Sequence, residues 1–179
     1  MKLFALFGAL LMLALTGCAA IPFTDEARAR GLLENLSQFY RTDALVSAGD
    51  QEFRVQIHRP DPLHLTVELL YPERLSGFRY TFGDGVVELG YMGLTFNLDP
   101  FGATRTAPIP RATQALSSLL IPQADRPLPI LQNDLWQLES EFDGERVLLL
   151  IDRESELPLK LLLESAGVGF VFENFVFLS

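Results

Sequence analysis

Cysteine and basic residues are scarce in this chain of 179 residues, and each scarcity excludes a class of protein. Cys18 is the only cysteine, so no disulfide can form within the chain. The 14 lysines and arginines are outnumbered by 23 aspartates and glutamates, which gives a net charge of −9. Such a chain is repelled by nucleic acids and by anionic lipid headgroups. We therefore expect no nucleic-acid partner and no electrostatic membrane binding.

Motifs of catalysis and metal binding are also lacking. The chain has two histidines, His58 and His64, no His-Glu-x-x-His motif and no Gly-x-Ser-x-Gly elbow. A hairpin could bring the two histidines together with Asp61 as a further metal ligand, but solvated turn histidines explain the same pattern. Residues 167–169, Gly-Val-Gly, lack the spacing of a dinucleotide-binding loop. We expect no enzyme, no cofactor and no metal site.

The longest apolar run is short and lies near the start of the chain. Lys2 precedes an apolar run over residues 3–15, which is shorter than the ~20 residues that a transmembrane helix needs. Small residues follow it, so residues 1–17 are predicted to be a cleaved signal peptide. The last four residues up to the cysteine resemble the lipobox of bacterial lipoproteins, in which the cysteine is acylated and becomes the first residue; they are Leu15, Thr16, Gly17 and Cys18.

An acylated Cys18 predicts how the protein is held at a bacterial membrane. Two or more acyl chains on an N-terminal diacylglyceryl cysteine anchor a protein stably. Residues 18–23 would form a short tether, spanning at most about 20 Å at ~3.5 Å per residue. Ala19 indicates the outer membrane in a Gram-negative cell, and the outer face of the cytoplasmic membrane is expected in a single-membrane bacterium. The alternatives are an ordinary secretory signal with a chance cysteine and a transmembrane anchor.

Residues 24–179 are predicted to form one domain in which two helices interrupt a series of strands. Apolar residues recur at helical spacing over residues 25–40 and again over residues 111–121. The prolines that follow the second helix predict irregular structure up to a strand that opens near Leu135.

Elsewhere apolar and polar residues alternate, as they do in half-buried strands. Residues 53–71 predict two strands, and Asp84-Gly85 and Asp143-Gly144 are typical of hairpin turns. Residues 147–151, 159–164 and 168–177 are partly apolar on both faces, as buried central strands or strands lining a cavity would be. The fold class predicted is mainly β (α+β): a curved antiparallel sheet of about nine strands forming an incomplete barrel, with about two helices covering its concave side.

Four short motifs occur in the order found in one known family. They are residues 53–60 at a strand end, Asp84-Gly85 with Tyr91 in a hairpin, Asp152 with Leu157-Pro158 in a late turn, and residues 172–175 in the last strand. Together they resemble the LolA/LolB lipoprotein-carrier family, to which germination lipoproteins such as GerS are similar. The resemblance implies an open half-barrel that holds acyl chains or a partner segment in an apolar cavity under the helices.

The residues predicted to line such a cavity come from the alternating strands; they are Phe53, Val55, Leu65, Val67, Leu69, Phe78, Tyr80, Trp136 and Leu138. Trp136, Tyr80 and Tyr91 could mark its mouth. The same alternation fits an ordinary core, because it establishes only that one sheet face is covered.

Two functions follow from these predictions. The first is a membrane-anchored lipoprotein that binds a hydrophobic ligand, an acyl chain or a lipidated polypeptide, in lipoprotein or lipid trafficking. The alternative is a structural or regulatory envelope lipoprotein that docks a partner enzyme or dimerises, as in spore germination. A cavity filled by side chains would favour the alternative.

Overall fold

The computed structural model describes residues 25–83, 85–99, 107–120 and 126–178. The predicted signal peptide, lipobox and tether lie outside these residues. Two α-helices, α1 (Asp25–Leu36) and α2 (Pro108–Leu120), and one 3-10 turn (Glu73–Leu75) accompany the strands. The strands are β1 (Tyr40–Ala48), β2 (Gln51–Arg59), β3 (Leu65–Tyr71), β4 (Arg79–Gly83), β5 (Val86–Tyr91), β6 (Leu94–Leu98), β7 (Ile130–Gln132), β8 (Leu135–Phe142), β9 (Glu145–Asp152), β10 (Pro158–Leu163) and β11 (Val168–Phe177).

The strands form one antiparallel 11-stranded sheet in the order β6-β5-β4-β3-β2-β1-β11-β10-β9-β8-β7. The first and last strands pair at its centre, with Val46 opposite Phe170. Within the described residues β6 and β7 remain at opposite ends of the sheet, so the barrel is not closed. The predicted fold class, an incomplete barrel with two helices, is confirmed.

The core lies between the concave face of the sheet and the two helices. Buried residues alternate along each central strand, and the register aligns them across strands, so that Val46 faces Phe53 on β2. Helix α1 buries Ala29, Leu32 and Leu36 against this face. Helix α2 buries a wider stripe, from Ile109 to Leu120, and its small residues, alanines at 112 and 115, allow a close approach to the strands.

The first predicted helix is too long, and the strand that follows it was not predicted. Helix α1 ends at Leu36, where the N–H of Ser37 bonds to the carbonyls of Leu33 and Glu34. Tyr40, assigned to the helix by its spacing, begins β1, and its ring stacks on Phe175 with centroids 4.9 Å apart. Pairing of β1 with both β2 and β11 decides the conformation, and β11 is distant in sequence.

Two further strands and one helix boundary differ from the prediction. Strands β6 and β7 bring the total to 11 rather than about nine. Strand β7 starts directly after Pro129, in a stretch predicted to be irregular. Helix α2 begins at Pro108, before the predicted start at 111, because a proline ring suits the first turn of a helix, where the N–H has no intrahelical partner. Residue 121 lies outside the described residues.

The strands predicted to be apolar on both faces are β9, β10 and β11, which are internal strands of the sheet. On their convex side Leu148, Leu150 and Leu162 are half-buried, and Val171 is 44% exposed. No helix or second sheet among the described elements covers this side. The apolar character therefore marks internal strands of a single curved sheet.

Candidate functional site

The concave side opens to solvent in a groove where α2 meets the ends of three strands. The groove has a volume of about 440 Å³. Its lining comes from the β2–β3 turn, β4, β5, α2 and β8, and comprises Pro62, Leu63, Phe82, Gly83, Gly85, Val86, Val87, Gln114, Ser117, Ser118 and Phe142. This volume lies in the range of roughly 300–1,000 Å³ that is usual for small-molecule sites.

One side of the groove is apolar and the other is polar. Phe82 and Val87 are buried opposite each other on β4 and β5, and both belong to the main core. Gln114, Ser117 and Ser118 lie on the half-buried face of α2, at the three- and four-residue spacing of one helix side. The groove thus joins an apolar surface continuous with the core to a rim of hydrogen-bonding side chains.

The C-terminal end of α2 is closed by Arg126. Its guanidinium donates hydrogen bonds to the carbonyls of Ser118 and Leu119, which are among the last carbonyls of the helix and have no partner within it. Burial lowers the pKa of Arg126. The hydroxyl of Ser118 donates to the carbonyl of Ala115 at 2.8 Å, so this groove side chain is held against its own helix.

Near its N-terminal end, α2 is attached to the β8–β9 hairpin by an ion pair between a half-buried arginine and a buried carboxylate. Arg111 Nη2 lies 2.8 Å from Glu145 Oε2. The Glu145 side chain is buried, and its other carboxylate oxygen accepts a hydrogen bond from the backbone N–H of Ala166. The same hairpin carries Phe142, so the ion pair connects the two walls of the groove.

The floor of the groove rests on a structured turn before β3. Asp61 Oδ1 accepts hydrogen bonds from the backbone N–H of Leu63 and of His64, and His64 Nδ1 lies 2.8 Å from Asp61 Oδ2. Desolvation raises the pKa of Asp61, but these hydrogen bonds lower it by more, so the pKa lies below its usual value. The imidazole of His64 lies on Gly83, where an added Cβ would come 2.3 Å from the ring.

The histidine pair considered as a metal site is not assembled. His58 is exposed on β2 opposite Thr66 and Arg41, whereas His64 lies in the turn with Asp61. Among the described residues there is no group of three or more side chains that could hold a metal ion. Asp61 and His64 instead order the turn that supports the groove.

Comparison with known proteins bears on the fold. No family model and no curated protein matches the sequence. A solved structure of an uncharacterized conserved protein from Thermus thermophilus covers 85% of this chain and 86% of its own, at 16% identity and a TM-score of 0.52. The two chains share a fold.

More distant similarities include a LolA superfamily protein from Nitrosomonas europaea, at 11% identity and a TM-score of 0.40, over 84% of this chain and 94% of that one. The solved complex of the CwlD amidase from Clostridioides difficile with the GerS lipoprotein contains a chain matched at 13% identity and a TM-score of 0.39, over 87% and 94%. The family that the sequence resembles is represented among the similar structures. Identities this low say nothing about function.

The residues predicted to line a cavity lie in the core instead of in the groove. Phe78 and Tyr80 are half-buried, and the other seven are at most 8% exposed; they are Phe53, Val55, Leu65, Val67, Leu69, Trp136 and Leu138. Val55, Val67 and Leu138 are 0% exposed, so no water-sized void open to solvent adjoins them. A ligand could reach these three only by displacing side chains or α2. Tyr91, predicted to mark the mouth, stacks on Phe78 with ring centroids 4.1 Å apart.

The groove residues were not predicted, although the sequence held a signal for two of them. Each predicted Asp-Gly hairpin has a phenylalanine just before its turn, Phe82 in one and Phe142 in the other. The structure brings both rings to the same groove from opposite halves of the sheet. Only the curvature of the sheet creates that proximity.

Among the described residues no helix is long and apolar enough to cross a membrane.

Proposed function

We propose that this protein is a bacterial envelope lipoprotein, anchored through Cys18, that binds one acyl chain or the acylated end of a polypeptide in the groove beside α2. The observation that carries the proposal is the apolar wall formed by Phe82, Val87 and Phe142, which is continuous with the core. Each methylene group moved from water onto such a surface contributes ~0.8 kcal/mol. Lipoprotein or lipid trafficking is the role we propose for this binding.

The polar rim supports a ligand that has a headgroup. Gln114 and Ser117 face the groove from α2 and could accept or donate hydrogen bonds to an ester, amide or peptide group. An acyl chain would then lie along the strand ends, with its polar end at the helix. Few convergent polar groups beside an apolar wall are the usual composition of a small-molecule site.

The anchor is tested by Cys18→Ala. Because the chain has no other thiol that can take a thioether-linked lipid, the variant should lose metabolic labelling by fatty acids and should not be processed before residue 18. Labelling and processing are read by gel mobility and mass spectrometry of the membrane fraction. Lipid labelling equal to that of the unchanged protein would exclude the lipoprotein proposal.

The groove is tested by photolabelling the full-length protein in its membrane with a diazirine fatty acid. Labelling should saturate, compete with unlabelled fatty acid and map to peptides containing residues 82–87 and 114–118. Val86→Glu places a charge in the groove, where it repels the chain, and should reduce labelling about tenfold or more. Val176→Glu is the control, because Val176 is 50% exposed outside the groove and Val86 is 39% exposed. Labelling that does not saturate, or that Val86→Glu leaves unchanged, would contradict the proposal.

The burial of the predicted cavity residues supports a second candidate, a lipoprotein that docks a partner protein. The seven buried residues named above are at most 8% exposed and belong to the main core. In that case the groove would take a side chain or a peptide segment of the partner. Saturable labelling by a fatty acid would favour the carrier, and cross-linking of the groove to another envelope protein without lipid uptake would favour docking.

A further inference from the structure

The two edge strands of the sheet, β6 and β7, differ in how well they are protected against pairing with another strand. Strand β7 has three residues and follows Pro127 and Pro129, and a short strand next to prolines offers little backbone for pairing. Strand β6 has five residues, Leu-Thr-Phe-Asn-Leu, without proline or charge. Leu94 is 61% exposed and Phe96 52% exposed. Natural sheets usually place charges, prolines or bulges at such an edge.

The hairpin that leads into β6 determines which of its backbone groups face outward. Met92 and Gly93 form a two-residue turn with φ of 49° and 80°, and Tyr91 pairs with Leu94 across it. In a two-residue hairpin turn, the two residues that flank the turn form a hydrogen-bonded pair. Along an antiparallel ladder, hydrogen-bonded pairs alternate with pairs that are not hydrogen-bonded. Leu94, Phe96 and Leu98 therefore direct their N–H and C=O groups to β5. Thr95 and Asn97 direct theirs away from the sheet.

The sequence of β6 is complementary to itself in the antiparallel direction. We propose that β6 pairs with β6 of a second copy of this chain about a twofold axis at Phe96. Thr95 of each copy then lies opposite Asn97 of the other, so the outward N–H and C=O groups of both residues are satisfied. On one face of the joined strands Leu94 meets Leu98 and the two Phe96 rings meet each other.

The self-complementary sequence of β6 favours a second copy at this edge, and local charge does not oppose it. Although the chain carries a net charge of −9, this register opposes no two charged residues, because Asp99 of one copy lies opposite Gly93 of the other. Two copies would continue a single sheet across the axis. The surface is small, as in transient complexes, and anchoring of both copies to one membrane would raise their effective concentration.

This inference goes beyond both candidate functions, because β6 lies at the edge of the sheet and contributes no residue to the groove. A dimer without lipid labelling leaves the carrier unsupported, whereas lipid labelling without a dimer removes only the inference about β6. The two experiments therefore fail separately.

Cysteine cross-linking of the full-length protein in its membrane tests the register. Residues that face each other at the axis have Cα atoms about 4.5 Å apart, within the range of a disulfide, so Phe96→Cys should form a disulfide-linked dimer on mild oxidation. The two Thr95 residues would lie about 8 Å apart, too far for a disulfide, so Thr95→Cys should form at least about tenfold less dimer. The unchanged chain, in which Cys18 is the only cysteine, is the control for cross-linking through Cys18.

Sedimentation of the purified full-length protein in density-matched detergent provides a second measurement. The unchanged chain should approach the mass of a dimer as its concentration rises, and Phe96→Glu, which places two like charges at the axis, should remain a monomer with an unchanged circular dichroism spectrum. The proposal is overturned if the unchanged chain remains a monomer, if Thr95→Cys and Phe96→Cys cross-link equally, or if Phe96→Cys cross-links only to a different protein.

Discussion

At the turn between β8 and β9, the backbone conformation of two residues sets the register of a whole hairpin. Asp143 and Gly144 have φ of 54° and 72°, the combination that a two-residue turn needs to match the twist of its strands. A Cβ added at Gly144 would meet no atom within 4 Å. The constraint at this residue is therefore conformational, and packing plays no part in it.

Gly144→Val should consequently destabilise the fold by about 1–3 kcal/mol, because a β-branched residue is strained at positive φ. Gly31→Ala is the matched control: Gly31 is helical, an added Cβ also meets nothing within 4 Å, and alanine should stabilise the helix by about 0.5–1 kcal/mol. Chemical denaturation of both variants measures the difference. An unchanged midpoint for Gly144→Val would show that this turn does not hold the hairpin.

Residues whose conformation depends on sequence neighbours were predictable, and those that depend on distant partners were not. The Asp143-Gly144 turn follows from its own two residues. Tyr40 fits the helical spacing of α1 equally well, and only contact with β2 and with Phe175 places it in a strand. The sequence shows Phe82 and Phe142 in two similar turn motifs, but it does not show that the fold brings the two rings together.

At the scale of elements, the position of α2 matters most, because this helix forms one wall of the groove. Its periodicity predicted a helix over residues 111–121. Its attachment to the hairpin through Arg111 and Glu145 joins residues far apart in sequence, which no local pattern reveals. This ion pair holds the N-terminal half of the helix against the sheet, and Arg126 caps its C-terminal end.

Arg111→Ala should destabilise the protein by about 3 kcal/mol, because it leaves the carboxylate of Glu145 buried without its cation. Arg146→Ala is the control, since Arg146 forms ion pairs with Glu139 and Glu164 that are exposed to solvent and contribute little. Thermal and urea denaturation compare the two variants. Equal midpoints would mean that the ion pair between Arg111 and Glu145 does not hold α2.

At the scale of the whole molecule, a single curved sheet explains both the filled core and the open groove. The strands at its two halves approach each other without pairing, and the gap that remains beside α2 is lined by apolar residues from both halves. Alternation predicted the sheet and its covered face, and the number of strands predicted its curvature. Alternation and strand number could not distinguish a packed core from an open cavity on the concave side, because a core and a cavity lining need the same apolar residues.

Native mass spectrometry of the full-length protein, purified from its own membrane in mild detergent, tests the central claim most directly. We expect a population that carries one non-covalent lipid, which is released at higher collision energy while any lipid on Cys18 is retained. Val86→Glu should lose this population and Val176→Glu should keep it. If the unchanged protein carries no lipid at all, or carries it equally after Val86→Glu, the groove beside α2 is not a lipid-binding site.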